Sequence, residues 1–287
     1  MTRVLVPLAV LEGESVSLGL MDLLGTVDVT VLGYHVLPEQ TPPDQARLQY
    51  EERATEALED VTQEFRAAGG AADYRLVFTG DRDQTVNRIA DETDSRAFTV
   101  LGATGEVDRV LVVLTGDVAV DDILAFVTEL VGDRAIGVTL FAATRGNDPE
   151  GLRERLGSAA ERLGAEGIDA TTDLATEGGP FEALVTAAAG HDAVVMGERA
   201  PSLRSLLFGE ESERVASETV GPVLVVRRRE QGGDGDEGDS ESEDETDGDE
   251  SKDETDGDES EDETDGDESK DETDGDESKD ETDGDDA

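Results

Sequence analysis

Several residue types that build common functional sites are absent or scarce in this chain of 287 residues. It contains no Cys, which excludes disulfides, thiolate metal sites and a Cys nucleophile. Only two His are present, and no local signature of a Ser-His-Asp arrangement is found. The sequence therefore predicts no catalytic residues and no metal site.

Positive charge is also scarce, because 23 basic residues face 73 acidic ones and the net charge is −50. The three Lys all lie near the C-terminus, at Lys252, Lys270 and Lys279, and residues 1–229 use only Arg. Such a chain repels nucleic acid and anionic lipid, so neither is an expected partner. Many carboxylates with Arg in place of Lys resemble the proteins of salt-loving archaea, whose molar salt shortens the Debye length to ~3 Å. An ordinary acidic cytosolic protein is the alternative.

Long apolar runs are missing as well. No run approaches the ~20 residues of a membrane span, so direct membrane insertion is not expected. Met1 leads directly into a strand pattern, and no signal-peptide pattern precedes it. We therefore expect a cytoplasmic protein.

What the sequence does contain is an internal duplication. Residues 3–8 read RVLVPL and residues 109–114 read RVLVVL, and each run is typical of a strand buried on both faces. Strands then alternate with amphipathic helices in both copies, which predicts parallel sheets with helices on both faces. The predicted fold class is α/β, with two doubly wound, Rossmann-like domains at 1–105 and 106–229.

The pattern also predicts the elements of each copy. In the first copy, Gly102 is followed by only six residues before the next RVLVVL, so this copy lacks the last helix and the last strand. The predicted strands are 3–8, 27–36, 74–78, 97–101, 109–114, 135–142, 168–175, 193–196 and 222–226, and the predicted helices are 16–24, 44–68, 84–92, 118–131, 149–163, 180–189 and 211–219.

Residues 230–287 form an acidic tail of different composition. The sequence DETDGDES recurs every nine residues, and the tail carries 33 acidic residues and 3 Lys. Apart from the terminal Ala287 it has no apolar side chain to bury, so it is predicted to be disordered. The basic triplet at 227–229, just before the tail, is expected to pair with nearby acidic residues.

The stretch 193–229 is the most informative one. A strand that ends at Gly and continues through a loop into a helix start is how α/β folds build phosphate sites. The stretch resembles the C-terminal quarter of the universal stress protein family, whose ATP-binding members carry G-x2-G-x9-G-(S/T). Gly197 matches the first Gly, Ala200 stands at the second, Gly209 follows one residue early, and Glu210 replaces the Ser/Thr.

The resemblance also implies a nucleoside-binding Asp at the end of the first strand of each copy. Ala9 stands there in the first copy, and Thr115, followed by Gly116, stands there in the second. Asp117 lies two residues further on and does not match the family's position. Any nucleotide site is therefore expected in the second copy, with Thr115 in place of the charged acceptor.

Glu210 is the largest departure from the family pattern. A carboxylate ~4 Å from a phosphate oxygen repels it by about 1 kcal/mol in water and about 4 kcal/mol at an effective dielectric of 20. Arg199 and Arg204 could offset part of this repulsion. The loop is either an anion or nucleotide pocket or a vestigial turn, and ATP is expected to bind weakly or undetectably, with no other cofactor.

By this resemblance, the leading function is that of a non-enzymatic stress-response or regulatory protein with residual nucleotide binding. The alternatives are a regulatory partner of a membrane transporter and an adenine-nucleotide hydrolase. Family members commonly dimerise through the last strand, so a homodimer through 222–226 or a cover supplied by the first copy is expected. His35 and His191 are interpreted as structural residues.

Overall fold

A computed structural model describes residues 2–38, 42–100, 102, 104–144, 148–200 and 221–228. All of them belong to one compact unit, Met1–Gly233. Its strands are β1 (Arg3–Ala9), β2 (Asp28–Val36), β3 (Ala72–Thr79), β4 (Ala97–Val100), β5 (Arg109–Val113), β6 (Gly137–Ala143), β7 (Ala170–Ala175), β8 (Ala193–Gly197) and β9 (Val223–Val226). Its helices are α1 (Leu18–Leu23), α2 (Pro43–Ala67), α3 (Arg82–Glu92), α4 (Val120–Val131), α5 (Pro149–Ala165) and α6 (Pro180–Ala188).

The strands form a single sheet in the order β3-β2-β1-β4-β9-β8-β5-β6-β7. The first half, β3-β2-β1-β4, and the second half, β7-β6-β5-β8, have the same order and are parallel throughout. The α/β fold class predicted from the sequence is therefore confirmed.

The last strand, β9, lies in the middle of this sheet. It pairs in parallel with β8, where Val194 is opposite Val223, and antiparallel with β4, where Val100 is opposite the same Val223. Leu224 and Val225 are fully buried. Of the two arrangements expected from the sequence, the cover supplied by the first copy is the one present, so β9 has no free edge for a second chain.

Helices cover both faces of the first half, because consecutive residues of a strand point to opposite sides. On one face, Leu32 of β2 packs with Val86 and Ile89 of α3. On the other face, the neighbouring Gly33 lies under Leu58 of α2, so close that a Cβ there would come within 2.5 Å of the Leu58 Cδ1. Gly33 is therefore needed for the close approach of α2 to the sheet.

Every predicted helix and strand that falls within the described residues is present, and its ends agree to within two residues. Between Val100 and Arg109 the described residues form neither helix nor strand, as expected for a shortened first copy. The predicted helix 211–219 and the tail 230–287 lie outside the described residues.

Polar contacts join the two halves beside the shared strand. Arg96, just before β4, lies 3.5 Å from an Asp122 oxygen and 3.7 Å from a Glu129 oxygen of α4. Arg134 donates to the backbone carbonyls of Asp22 and Leu23, both at 2.9 Å, at the end of α1. The halves thus meet through both a hydrogen-bonded ladder and side-chain contacts.

Candidate functional site

The predicted site lies at the carboxyl ends of the parallel strands β5 and β8, the edge at which open α/β sheets bind ligands. Val113 of β5 is opposite Met196 of β8. Thr115 and Gly116, just beyond the end of β5, and Gly197, the last residue of β8, are thereby brought together. Gly209 and Glu210 lie outside the described residues.

Thr115 makes a structural contact within the sheet edge. Its side chain is buried, and its Oγ1 accepts a hydrogen bond from the Ala143 backbone N–H at 2.9 Å. The hydroxyl therefore joins the end of β5 to the end of β6. An acidic ligand-binding side chain, implied for this position by the family resemblance, is replaced here by a short group that already serves the backbone.

The loop after Thr115 is held in place by an arginine from α5. Arg155 Nη1 donates to the Gly116 carbonyl at 3.0 Å, and its Nη2 donates to the Val118 carbonyl at 3.3 Å. Gly116 has a φ of +85°, a conformation that favours glycine. Sequence reasoning missed Arg155, because no local pattern links a helix residue to a loop 39 positions earlier.

Asp117 lies between two arginines. One carboxylate oxygen is 3.9 Å from Arg199 Nη1, and the other is 3.6 Å from Arg228 Nη2. Asp117 is exposed, so each contact is weak, in the range of about 0–1 kcal/mol. The arginines that could receive an anion are nevertheless already turned towards a carboxylate of the same chain.

Gly197 and Ala200 make a tight turn against this loop. A Cβ on Gly197 would lie 3.0 Å from Val118 Cγ1, so glycine lets the end of β8 approach the loop closely. The Ala200 N–H donates to the Gly197 carbonyl at 2.9 Å, and the Ala200 side chain is buried. Glu198 ties the turn to the end of β9 by accepting from the Arg228 N–H at 3.1 Å.

The cavity between these segments is small. Its volume is about 10 Å³, and its walls include Asp117, Val118, Gly197 and Arg228. That volume corresponds to the space of about one water molecule. This cavity, as bounded by the described residues, is therefore too small to hold a nucleoside.

The equivalent edge of the first half is also occupied by its own chain. The Ala9 N–H donates to a carboxylate oxygen of Glu14 at 2.6 Å. The backbone after β4 packs onto the start of α1, where a Cβ on Gly19 would clash with the Gly105 carbonyl. Both edges are thus filled, but by unrelated contacts.

A second polar cluster lies near the ends of β2 and β3. The Arg82 Nε donates to the Tyr34 hydroxyl at 3.1 Å, and Arg82 also pairs with Asp83 at 2.9 Å. Burial raises the pKa of Tyr34, while the Arg82 charge opposes that shift and the carboxylates of Glu14 and Glu12 add to it. Tyr34 is therefore a neutral acceptor at physiological pH, and the pair fixes the start of α3 to β2.

The two histidines both contact neighbouring structure. The His35 ring centroid is 5.8 Å from that of Tyr50 and 6.3 Å from that of Phe78. The His191 ring nitrogens lie 2.8 Å from the Ala187 carbonyl and 2.8 Å from the Thr139 hydroxyl. Both sets of contacts agree with the structural interpretation.

The basic triplet pairs with acidic residues of the body, as predicted, at the two positions that are described. Arg227 contacts Asp91 of α3 at 2.5 Å, and Arg228 lies near Asp117. No helix in the described part is long and apolar enough to cross a bilayer. The described residues also contain no group of three or more acidic or His side chains placed to hold a metal ion.

Comparison with known proteins adds a family match. Residues 123–227 match the model of the universal stress protein family, a span that runs from α4 to β9 and leaves out β5. A curated relative from Thermus aquaticus, described as "Universal stress protein in QAH/OAS sulfhydrylase 3'region", is 38% identical over 85 residues. That alignment spans 27% of this chain and 62% of the relative, which is less than two thirds of its length.

Solved structures extend the likeness to both halves. The crystal structure of a universal stress protein from Archaeoglobus fulgidus DSM 4304 aligns with 79% of this chain and 97% of its own, with a TM-score of 0.55 and 20% identity. This match supports the fold alone. The cytoplasmic domain of a prokaryotic cation chloride cotransporter aligns with 78% of this chain and 94% of its own, at 11% identity and a TM-score of 0.44, too weakly for any inference.

Proposed function

Since this chain belongs to the universal stress protein family, we propose that it is a non-enzymatic stress-response or regulatory protein that binds ATP weakly or not at all. The observation that carries the proposal is the cavity of about 10 Å³ at the ends of β5 and β8. The Gly116–Val118 loop forms one wall of this cavity, and Arg155 holds that loop from α5 by two hydrogen bonds.

Electrostatics support the same conclusion. A phosphate group near Arg199 and Arg228 would have to displace the Asp117 carboxylate or lie beside it. At ~4 Å, two such charges repel by about 1 kcal/mol in water and about 4 kcal/mol at an effective dielectric of 20.

Regulation without turnover requires a protein partner, and we place that partner and this protein in the cytoplasm. A homodimer remains a prediction, but it must use a surface other than β9, which is paired on both sides within the chain. The strands at the two ends of the sheet, β3 and β7, are the remaining strand edges in the described part.

Calorimetric titration with ATP at constant molar salt tests the proposal. The native protein should give no binding or only weak binding, and no phosphate should be released. The double variant Thr115→Asp with Glu210→Ser should bind more tightly, because it restores the two groups that the family resemblance implies. Two restored contacts of ~1.4 kcal/mol each correspond to a gain of about a hundredfold in ATP affinity.

Thr172→Asp is the matched control, because it adds the same charge at an exposed position of the edge strand β7. It should leave ATP binding unchanged. Tight ATP binding or ATP hydrolysis by the native protein would contradict the proposal. A double variant that binds no better than the native protein would assign the defect to the shortened loop or to Ala200.

A further inference from the structure

The outer edge of β3 has no strand beside it in the described part of the chain, because β3 is the last strand at its end of the sheet and pairs with β2 alone. The Ala71 carbonyl accepts from the Val29 N–H, and the Thr79 carbonyl accepts from the Leu37 N–H. The odd-numbered residues along β3 therefore bond towards β2, and the even-numbered ones direct their N–H and C=O groups outwards. Such an edge is a template for pairing with a further strand.

Two arginines of the same chain contact this edge. Arg66 of α2 donates to the Ala72 carbonyl, from Nε at 3.0 Å and from Nη2 at 2.6 Å. Arg75 Nη1 donates to the Tyr74 carbonyl over the longer distance of 3.4 Å. Because a carbonyl oxygen accepts two hydrogen bonds, a further strand can pair here while Arg66 stays in place.

The side chains on either side of Tyr74 carry opposite charges and point to the same face of the sheet. Asp73 is half-buried, and its Oδ1 is buried without a hydrogen-bond partner. Arg75 is exposed, and its guanidinium contacts no carboxylate among the described residues. A buried carboxylate oxygen without a partner costs free energy, so a cation beside Asp73 would stabilise this edge.

A second copy of β3 supplies that cation in one two-fold register. In an antiparallel pair, outward-facing residues lie opposite each other, and the residues between them form the closer pairs. With Tyr74 opposite Tyr74 of the second copy, each Asp73 faces the other copy's Arg75. A two-fold axis at Asp73 or at Arg75 would instead place like charges opposite each other, and an axis at Leu76 would place Val77 opposite Arg75. The edge of β3 is therefore self-complementary in a single register.

The edge strand at the other end of the sheet lacks this complementarity. The exposed residues of β7 are Thr171, Thr172 and Asp173, so its only charge is negative. Pairing β7 with itself would offer Asp173 no cation. Pairing β3 with β7 of another copy would be head-to-tail and would leave a free edge on each copy, so the assembly would not close as a dimer.

An exposed apolar side chain lies beside the same edge. Leu48 of α2 is 90% exposed. Glu59 and Arg66 follow it on the same helix face, three turns and then two turns later. They contact Tyr74 and Ala72 of β3. This face of α2 is thus directed to the open side of β3, and a second copy at this edge would lie beside Leu48.

We propose that the outer edge of β3 pairs antiparallel with the same strand of a second copy, about a two-fold axis at Tyr74, and that two ion pairs between Asp73 and Arg75 fix the register. The two nine-stranded sheets then continue into one. This assignment rests on the homodimer of the proposed function and names its surface and its register.

Charge reversal tests the register in the full chain, by sedimentation equilibrium at constant molar salt. The native protein should be a dimer. Arg75→Asp and Asp73→Arg should each weaken dimerisation at least tenfold, because two ion pairs become two like-charge pairs. Arg153→Asp makes the same change in net charge as Arg75→Asp at an exposed position of α5 and should leave the dimer unchanged.

Mixing provides the readout that simple damage to the fold would not give. Equal amounts of Arg75→Asp and Asp73→Arg should form a heterodimer, since every charge again faces its opposite. The double variant Asp73→Arg with Arg75→Asp should restore the homodimer. Single variants that stay monomeric when mixed, together with a double variant that stays monomeric, would overturn the register.

Cysteine cross-linking tests the axis independently, because the native chain has no Cys. Tyr74 and its counterpart form a hydrogen-bonded pair with Cα atoms ~5.5 Å apart, within disulfide range. Tyr74→Cys should therefore give a covalent dimer on mild oxidation. Leu76→Cys, whose counterpart lies more than about 10 Å away in this register, should give none. Equal cross-linking of the two variants, or none in either, would contradict an axis at Tyr74.

Failure of this assignment is distinguishable from failure of the proposed function. A native dimer that survives Arg75→Asp and gives no Tyr74→Cys cross-link would overturn the role of β3 and leave the homodimer standing. A monomeric native protein would overturn both. ATP titration reports on the β5 and β8 loops, so its result bears on the proposed function alone.

Discussion

The two halves of the sheet share a strand order but differ in how each is completed. The second half has its own last strand, β9, whereas the first half ends at β4 and borrows that same strand in the opposite direction. Their carboxyl edges differ as well, since Glu14 and Gly105 fill one and Arg155 and Asp117 act at the other. A repeated topology thus does not require a repeated site.

The difference has a structural consequence for the boundary between the halves. An edge strand with free backbone N–H and C=O groups invites pairing with another chain. Here β4 and β9 pair with each other inside one chain, so β9 takes the place of the last strand that the first copy lacks and is itself buried. The interface between the halves is therefore part of the core.

The largest expected effect comes from breaking the shared strand. Leu224→Lys places a charge at a fully buried position between β4 and β8, so both halves lose packing at once. The expected loss in the free energy of unfolding exceeds about 4 kcal/mol, measured by denaturant titration at fixed salt.

Thr172→Lys, on the exposed face of the edge strand β7, is the control and should change stability by no more than about 0.5 kcal/mol. If Leu224→Lys instead yields a stable monomer from a native dimer, then β9 joins two chains and the arrangement described here is wrong.

A smaller effect is expected from the contact between β4 and α4. Arg96 is 13% exposed and faces Asp122 and Glu129, so Arg96→Ala leaves two carboxylates without this cation. We expect a loss of about 2 kcal/mol, between the values for surface and buried pairs. Arg88→Ala, which removes an exposed helical pair with Glu92, should cost about 0.5 kcal/mol or less. If chemical denaturation gave the same loss in the free energy of unfolding for Arg96→Ala and Arg88→Ala, the Arg96 contact would not join the halves.

The smallest expected effect is on the pH dependence of stability, and it arises from Tyr34 in the first half. The folded-state pKa of Tyr34 lies above its ordinary value of 10.0, because burial disfavours the phenolate. Its contribution to stability is therefore fully present below pH 10 and is lost as pH rises through the folded-state pKa. Tyr34→Phe should flatten the alkaline part of the curve of stability against pH. If the slope of stability against alkaline pH were the same in Tyr34→Phe as in the native protein, burial of Tyr34 would not be the cause of that pH dependence.

The sequence was sufficient for the elements and for the fold class. Runs such as 3–8 and 109–114 are β-branched and apolar, and the helices repeat apolar residues at helical spacing, so local pattern determines both. The missing last strand of the first copy could also be predicted, because only six residues separate Gly102 from the next strand.

The pairing of β9 with β4 could be predicted only as one of two options. Which strands pair over a separation of more than a hundred residues depends on which strand edges are left free. Amino-acid composition does not determine whether such a pair is parallel or antiparallel. The site was partly predictable: Thr115, Gly116 and Gly197 do meet at one edge. The contacts that fill it, from Arg155 and Arg228, depend on α5 and on the end of β9 and have no local signal.

A disulfide test of the register between β4 and β9 examines the central claim most directly, because the native chain has no Cys. Val100 and Val223 are antiparallel partners, so their Cα atoms lie about 4.5–5.5 Å apart, within disulfide range. Val100→Cys with Val223→Cys should give an oxidised monomer with an internal disulfide, seen by mass spectrometry. Ala97→Cys with Val223→Cys, offset by three residues and thus by about 10 Å, should give none. A covalent dimer, or equal cross-linking in both pairs, would contradict the pairing of β4 and β9 within one chain.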